Sequence, residues 1–459
     1  MGGLPPVQVA APDLPGPHLA TRIVDPTPAP EPQVYSVGTG GFRYWTAAEA
    51  LRRAAELWSA AGTSAWNPEI GAALPVQLDE GVDLNAYYSR EAYAPQNIKQ
   101  GLSFFHDTVR DVSTGQQVTV WSGESPDVVA HELGHAVLDS LKPALWGLAT
   151  TESAAFHESF GDMSAILTAL QLPVVRQSVL EETGGKLWRN SSVSRLAEQL
   201  GYAIRQRSPA AVDSDSLRNA ANSFTYVDPT TLPPSGPASG LSREPHSFSR
   251  VFTGAFLEAL GAMVLVLADP PKADDVLQAS QDMSRLLARA ALNAPVRTQF
   301  FQAVAEQLVR ADSELFNGKY AEPLTSALVR RGLLPLRSLA AAPPAPTRME
   351  AAAKPVRMAL DGAALGLAVT TVFVEAPAMD DGRAAPPIGV TREPAPATRQ
   401  TAAQAFVEAL IVRGRVALGP RLSASTISMG AVTQKRPTHQ LSHVNGEVEL
   451  QRIAFDCGC

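Results

Sequence analysis

The pentapeptide His131-Glu132-Leu133-Gly134-His135 constrains this chain more than any other feature. Two histidines four residues apart lie on one face of an α-helix, close enough for both imidazoles to bind one ion. Zinc takes neutral nitrogen and carboxylate oxygen donors in a tetrahedral array, and a catalytic site keeps one position open for water. The glutamate beside the first histidine stands where it can take that water's proton. With eight histidines in the chain, chance produces such a pattern in roughly one sequence in a hundred. The helical setting is supported by Ser125-Pro126-Asp127, which supplies a cap, a first-turn proline and an acid at the positive dipole end.

A third donor has to come from elsewhere. The next predicted helix, from Thr151 to Leu172, offers His157, Glu158 and Asp162. Glu158 and Asp162 share a face, so one can bind the metal while the other orients a ligand histidine through its second ring nitrogen. His157 points about 100° away from Glu158, which favours Glu158 over it. No glycine-and-histidine extension follows His135, so the metzincin spacing is absent.

These segments resemble the thermolysin family of gluzincin zinc metallopeptidases. Asp127-Val128-Val129-Ala130-His131-Glu132-Leu133-Gly134-His135-Ala136-Val137 is similar to that family's zinc helix. The run Thr151-Glu152-Ser153-Ala154-Ala155-Phe156-His157-Glu158-Ser159-Phe160-Gly161-Asp162 is similar to the helix that carries its third ligand. The resemblance implies Glu158 as that ligand and Asp162 as the carboxylate behind a ligand histidine. Ser214-Asp215-Ser216-Leu217-Arg218 resembles the segment whose arginine contacts the substrate backbone. His246 corresponds to the family's transition-state histidine, and Asn85-Ala86-Tyr87-Tyr88 to the edge strand that holds extended substrate. Val128 and Leu217 match positions lining the pocket for the residue after the cut.

What the resemblance implies is an α+β fold in two lobes with one catalytic Zn2+ between them. Glu132 would be the general base, with His246 and Arg218 stabilising and orienting the peptide. A peptide substrate would be cut before a hydrophobic residue. Three departures stand against full correspondence. Ala149 replaces a tyrosine, Leu241 replaces the aspartate that partners the active-site histidine so that Glu244 must substitute, and of the calcium carboxylates only Asp127 matches. A zinc-binding protein of the same fold with weak or no proteolytic activity is the alternative.

Residues 1–33 read as a disordered Pro/Ala-rich leader, 34–145 as an N-terminal α/β lobe and 146–337 as a helical lobe. A linker over 338–358 and a small β-containing module over 359–459 follow, with strands expected near Ala368–Val374, Ala405–Leu418 and Gly446–Phe455. Every proposed catalytic residue precedes Ala340, so the tail is expected to be dispensable for cleavage. A net charge of −7 without a basic run argues against nucleic acid, and the longest apolar run, Leu260–Ala268, is short for a membrane span. No signal peptide is recognisable, which leaves a cytoplasmic chain or one exported by a non-standard route. The two cysteines, Cys457 and Cys459, provide no disulfide framework and read as a frayed end. His106 and His157 read as structural.

Overall fold

A computed structural model describes residues 19–26, 28–340, 345–347, 349–350, 353–379, 398–419, 422 and 436–457. The fold is mixed α/β. Strand β1 (Ala20–Asp25) and helix α1 (Gly40–Ala60) precede β2 (Ala73–Gln77), β3 (Ala86–Ser89), β4 (Gly101–Phe104) and the hairpin β5 (His106–Arg110) with β6 (Gln117–Trp121). The helical part holds α2 (Pro126–Leu141), α3 (Thr151–Ala169), α4 (Pro173–Thr183), α5 (Glu198–Arg207), α6 (Pro245–Leu267), α7 (Ala273–Asn293), α8 (Phe300–Phe316) and α9 (Ala321–Arg330). A short pair, β7 (Arg195–Leu196) with β8 (Arg218–Asn219), brackets α5. The tail holds β9 (Val356–Asp361), β10 (Thr371–Ala376), α10 (Arg399–Val412), β11 (Val416–Leu418), β12 (His439–Val444), β13 (Glu447–Arg452) and β14 (Phe455–Asp456).

The first sheet runs β1-β2-β4-β3-β14, and the tail's own sheet runs β11-β12-β13-β10-β9. The main core lies between the first sheet and the helices. There α3 packs on α2 and α6, and Phe156 meets Phe252, Phe300 and Phe301 edge-on. Helix α6 is long and apolar enough to cross a membrane, yet 72% of its most apolar stretch is buried inside the fold.

Local expectations fail in instructive places. The leader gives way to order well before residue 33: β1 pairs in parallel with β2, Leu19 is buried, and Trp66 Nε1 donates to the Ala20 carbonyl at 2.7 Å. The β-branched run Thr21-Arg22-Ile23-Val24 outweighs the prolines around it. Residues 1–18 lie outside the described residues. Helix α1 begins at Gly40, capped by Thr39, which accepts from the Phe42 amide at 3.2 Å. Thr46 and Glu49, spaced as in a capping box, therefore lie mid-helix, where Glu49 pairs with Arg52.

The tail differs most. Ala405–Leu418 is largely helix α10, followed by β11. The module also shares a core with the helical part, because Ala149 and Ala154 join Val372, Val374, Phe406 and Leu410. The Ala149 amide donates to the Glu375 carbonyl at 2.9 Å. A tyrosine at 149 would stand where β10 docks. Much of the presumed linker (341–344, 348, 351–352) and of the Pro-rich stretch (380–397) lies outside the described residues.

Candidate metal centre

Helices α2 and α3 meet through small residues. A Cβ on Gly134 would stand 2.8 Å from Ser164 Cβ, and one on Gly161 would stand 2.6 Å from His131 Cε1 and Nδ1. Real Cβ atoms do not make such contacts, so the two glycines allow the helices to approach and leave room for the His131 ring. Ser164 Oγ fixes the crossing by donating to the Ala130 carbonyl at 2.8 Å and accepting from Trp58 Nε1 at 2.9 Å.

The close approach brings the donors together. His131 Nδ1 lies 3.0 Å from Asp162 Oδ1, which leaves Nε2 facing the interior. His131 Nε2 is 3.5 Å and His135 Nε2 is 3.8 Å from the same oxygen, Glu158 Oε2. Tetrahedral ligands about 2.0–2.1 Å from zinc stand roughly 3.4 Å apart. All these side chains are buried. Among the described residues, His131 Nε2 and both ring nitrogens of His135 have no hydrogen-bond partner, while Glu158 Oε2 also lies 3.1 Å from His246 Nε2 and the Glu132 carboxyl lies against the Cys457 thiol. Leaving a buried polar group unpaired costs about 1–3 kcal/mol; such a cluster could hold a cation, and the donor set fits zinc. Donor atoms of His131, Glu132 and His135 lie within 4.8 Å of one another. Glu158 fits a third-ligand position because one of its oxygens lies near both ring nitrogens, with Glu132 beside them.

Burial is the largest influence on Glu132 and, with the nearby Glu158 charge, pushes its carboxyl up to about 8. A cation alongside would pull it back down. Burial pushes His135 down to about 3, into the neutral form that a metal requires. For Asp162, burial acts the other way, but Arg218 and His131 hold it at about 2. Arg218, at the start of β8, forks Nε and Nη2 onto Asp162 at 3.2 and 2.8 Å. Its Nη1 has no partner among the described residues. His157 is also buried, and its ring stacks on Phe455 at 3.9 Å.

His246 sits in the first turn of α6. Its Nδ1 is 2.7 Å from Glu244 Oε1, and its Nε2 is 2.6 Å from the Asp456 carbonyl oxygen. Both partners only accept, so both ring nitrogens carry protons and the ring is an imidazolium. Burial opposes that charge, but Glu158 and Glu244 raise the ring well above its ordinary range. Glu244 thus occupies the role expected of it, and Leu241 is only partly buried at the edge of the core. Asp127 accepts from Ser125 Oγ, from the Val128 amide at 3.0 Å and from the Ala197 amide at 2.6 Å. Those donors use both its oxygens in fixing the start of α2. Val128 and Leu217 are buried in the main core.

Strand β3, which lies inside the sheet between β4 and β14 rather than at its edge, is tied to α2 by Asp139, which accepts from Tyr88 Oη at 2.8 Å and Arg90 Nε at 3.0 Å. Asn85 and Ala86 do not face an open cleft. Strand β14 pairs antiparallel with β3, matching Phe455 to Tyr88 and Asp456 to Tyr87. Asn85 Nδ2 donates to Asp456 Oδ2 at 3.3 Å, and the Cys457 amide donates to the Ala86 carbonyl at 2.9 Å. Cys457 is therefore buried at the site, contrary to the frayed end expected of it, while Gly458 and Cys459 lie outside the described residues. The sequence reading missed Gly161, Phe455, Asp456 and the buried Arg415, which pairs with Asp456.

Compared with models of known families the chain matches none, and no curated protein matches it.

Proposed function

We propose that this chain is a zinc-dependent metalloendopeptidase built as a thermolysin-like pair of lobes, with His131, His135 and Glu158 holding one zinc ion. The observation that carries the reading is the convergence of two buried imidazole nitrogens that have no hydrogen-bond partner among the described residues on one buried carboxylate oxygen, Glu158 Oε2, with the Glu132 carboxylate beside them. When bound, zinc supplies a water acidified toward a pKa of about 7 and polarises the substrate carbonyl.

The remaining work falls to the chain's own groups. Glu132 takes the proton of the attacking water and passes it to the departing amine. The His246 imidazolium, held by Glu244, donates to the oxygen on which negative charge develops. Arg218 keeps two nitrogens on Asp162 and has Nη1 left to donate to a peptide carbonyl. Asp162 in turn fixes the tautomer and direction of His131. The Asn85–Ala86 segment offers main-chain pairing for an extended peptide.

Quenched peptides carrying Leu, Ile, Val or Phe after the scissile bond should be cut by the zinc-loaded chain. Glu132→Gln should retain zinc while hydrolysis falls by about 10² or more. Equal turnover by that variant would overturn the mechanism.

A further inference from the structure

The position a peptide substrate would occupy is filled by residues 453–457 of the same chain. Residues 453–457 run as an extended segment along β3. Ser89 Oγ donates to the Ile453 carbonyl at 2.6 Å, β14 pairs with Tyr88 and Tyr87, and the Cys457 amide bonds to Ala86. Side chains anchor the segment as well. The Phe455 ring stacks on His157 and on the ligand His135, with centroids 3.9 and 5.1 Å away. The Arg452 guanidinium covers the same ring from 3.9 Å. The Asp456 carboxylate is buried between Asn85 and Arg415. Its carbonyl oxygen receives the hydrogen bond of His246 Nε2, the donor assigned above to the developing oxyanion. The Cys457 thiol lies against the Glu132 carboxyl.

We infer that residues 453–457 are an internal, substrate-like inhibitor, and that the chain is latent until this strand leaves the cleft. The inference rests on the peptidase reading for the identity of the cleft, and it adds its regulation. An outside peptide needs the Ala86 carbonyl and His246 Nε2, and both are engaged by the tail. A tethered occupant acts at an effective concentration of roughly millimolar. Apparent affinity for an outside peptide falls by the fraction of time the cleft stands open. The β13 anchor can stay in place while β14 leaves, because β13 pairs with β12 and β10 in the tail's own sheet.

Two variants test this in the full chain and in a chain ending at Arg452. In the full chain, Phe455→Ala combined with Asp456→Ala should raise hydrolysis of a quenched peptide at least tenfold, and the truncated chain should do the same. Binding is read separately, in a Glu132→Gln background, with a fluorescein-labelled peptide of the sequence Gln-Arg-Ile-Ala-Phe-Asp-Cys-Gly-Cys. The peptide should bind the truncated chain at least tenfold more tightly than the full chain, and its Asp→Ala version should bind the truncated chain at least tenfold more weakly. If these binding differences appear without hydrolysis by any form, the cleft inference stands and the peptidase reading fails. If the full chain hydrolyses substrate as fast as both variants, or binds the labelled peptide as tightly as the truncated chain, the inhibitory role is overturned. Circular dichroism of both variants guards against mistaking unfolding for loss of binding.

Discussion

Two contacts build the centre, and they differ in what they leave unsatisfied. Where α2 meets α3, Gly134 and Gly161 bring the helices so close that four ionisable side chains are buried together. The inward-facing nitrogens of both histidine rings have no hydrogen-bond partner among the described residues. Where β3 meets β14, main-chain pairing is continuous through Cys457, and the Asp456 carboxylate has both Asn85 and Arg415. The first contact has the polar deficit of a site built around something else. The second has the completeness of a finished interface. On the proposed reading, their difference separates a centre that would hold an ion from a cleft whose peptide position is already taken.

The contrast can be broken from the side of the ion first. Asp162→Asn keeps the shape but removes the charge that orients His131 and pairs with Arg218. Zinc affinity should fall by about 10–100-fold, measured by competition with a chromophoric chelator, and an unchanged affinity would detach Asp162 from the site. Gly161→Ala should act on the same ring by crowding. Overpacking costs about 1–3 kcal/mol, and because the added methyl meets His131, zinc affinity should drop along with the melting temperature. A loss of stability with full zinc affinity would mean that the glycine serves helix packing alone. Chelation of the wild type should lower the melting temperature too, since an ion present at 100 times its Kd stabilises by about 2.7 kcal/mol. The smallest effect belongs to the strand contact. Asn85→Ala removes one hydrogen bond, worth about 0.5–1.5 kcal/mol, and should speed hydrogen exchange of the Cys457 amide several-fold while leaving zinc content alone. Unaltered exchange would show that Asn85 does not hold the tail.

The ion-facing half was readable because its information is local. Histidines at i and i+4, and carboxylates on one face of the following helix, declare themselves within a dozen residues. The start of α2 was signalled by Pro126 and Asp127. Gly161 was silent because its meaning depends on a ring carried by another helix. The tail was misjudged for a stronger version of the same reason. β14 is two residues long, and its partner Asn85 lies 371 positions earlier in the chain. No periodicity can register a strand that short, and a terminal Cys-Gly-Cys looks like any loose end. The small side chain at Ala149 reads as a departure from a family pattern, whereas with Ala154 it makes room for a second layer of structure.

The most direct test is the zinc content of purified Glu158→Ala and His157→Ala chains after equilibrium dialysis. The two residues are adjacent and equally buried, so general damage to α3 would affect both. Glu158→Ala should lose the ion, while wild type and His157→Ala should each keep about one zinc per chain, as a three-ligand catalytic site requires. Retention by Glu158→Ala together with loss from His157→Ala would contradict the assignment of the centre.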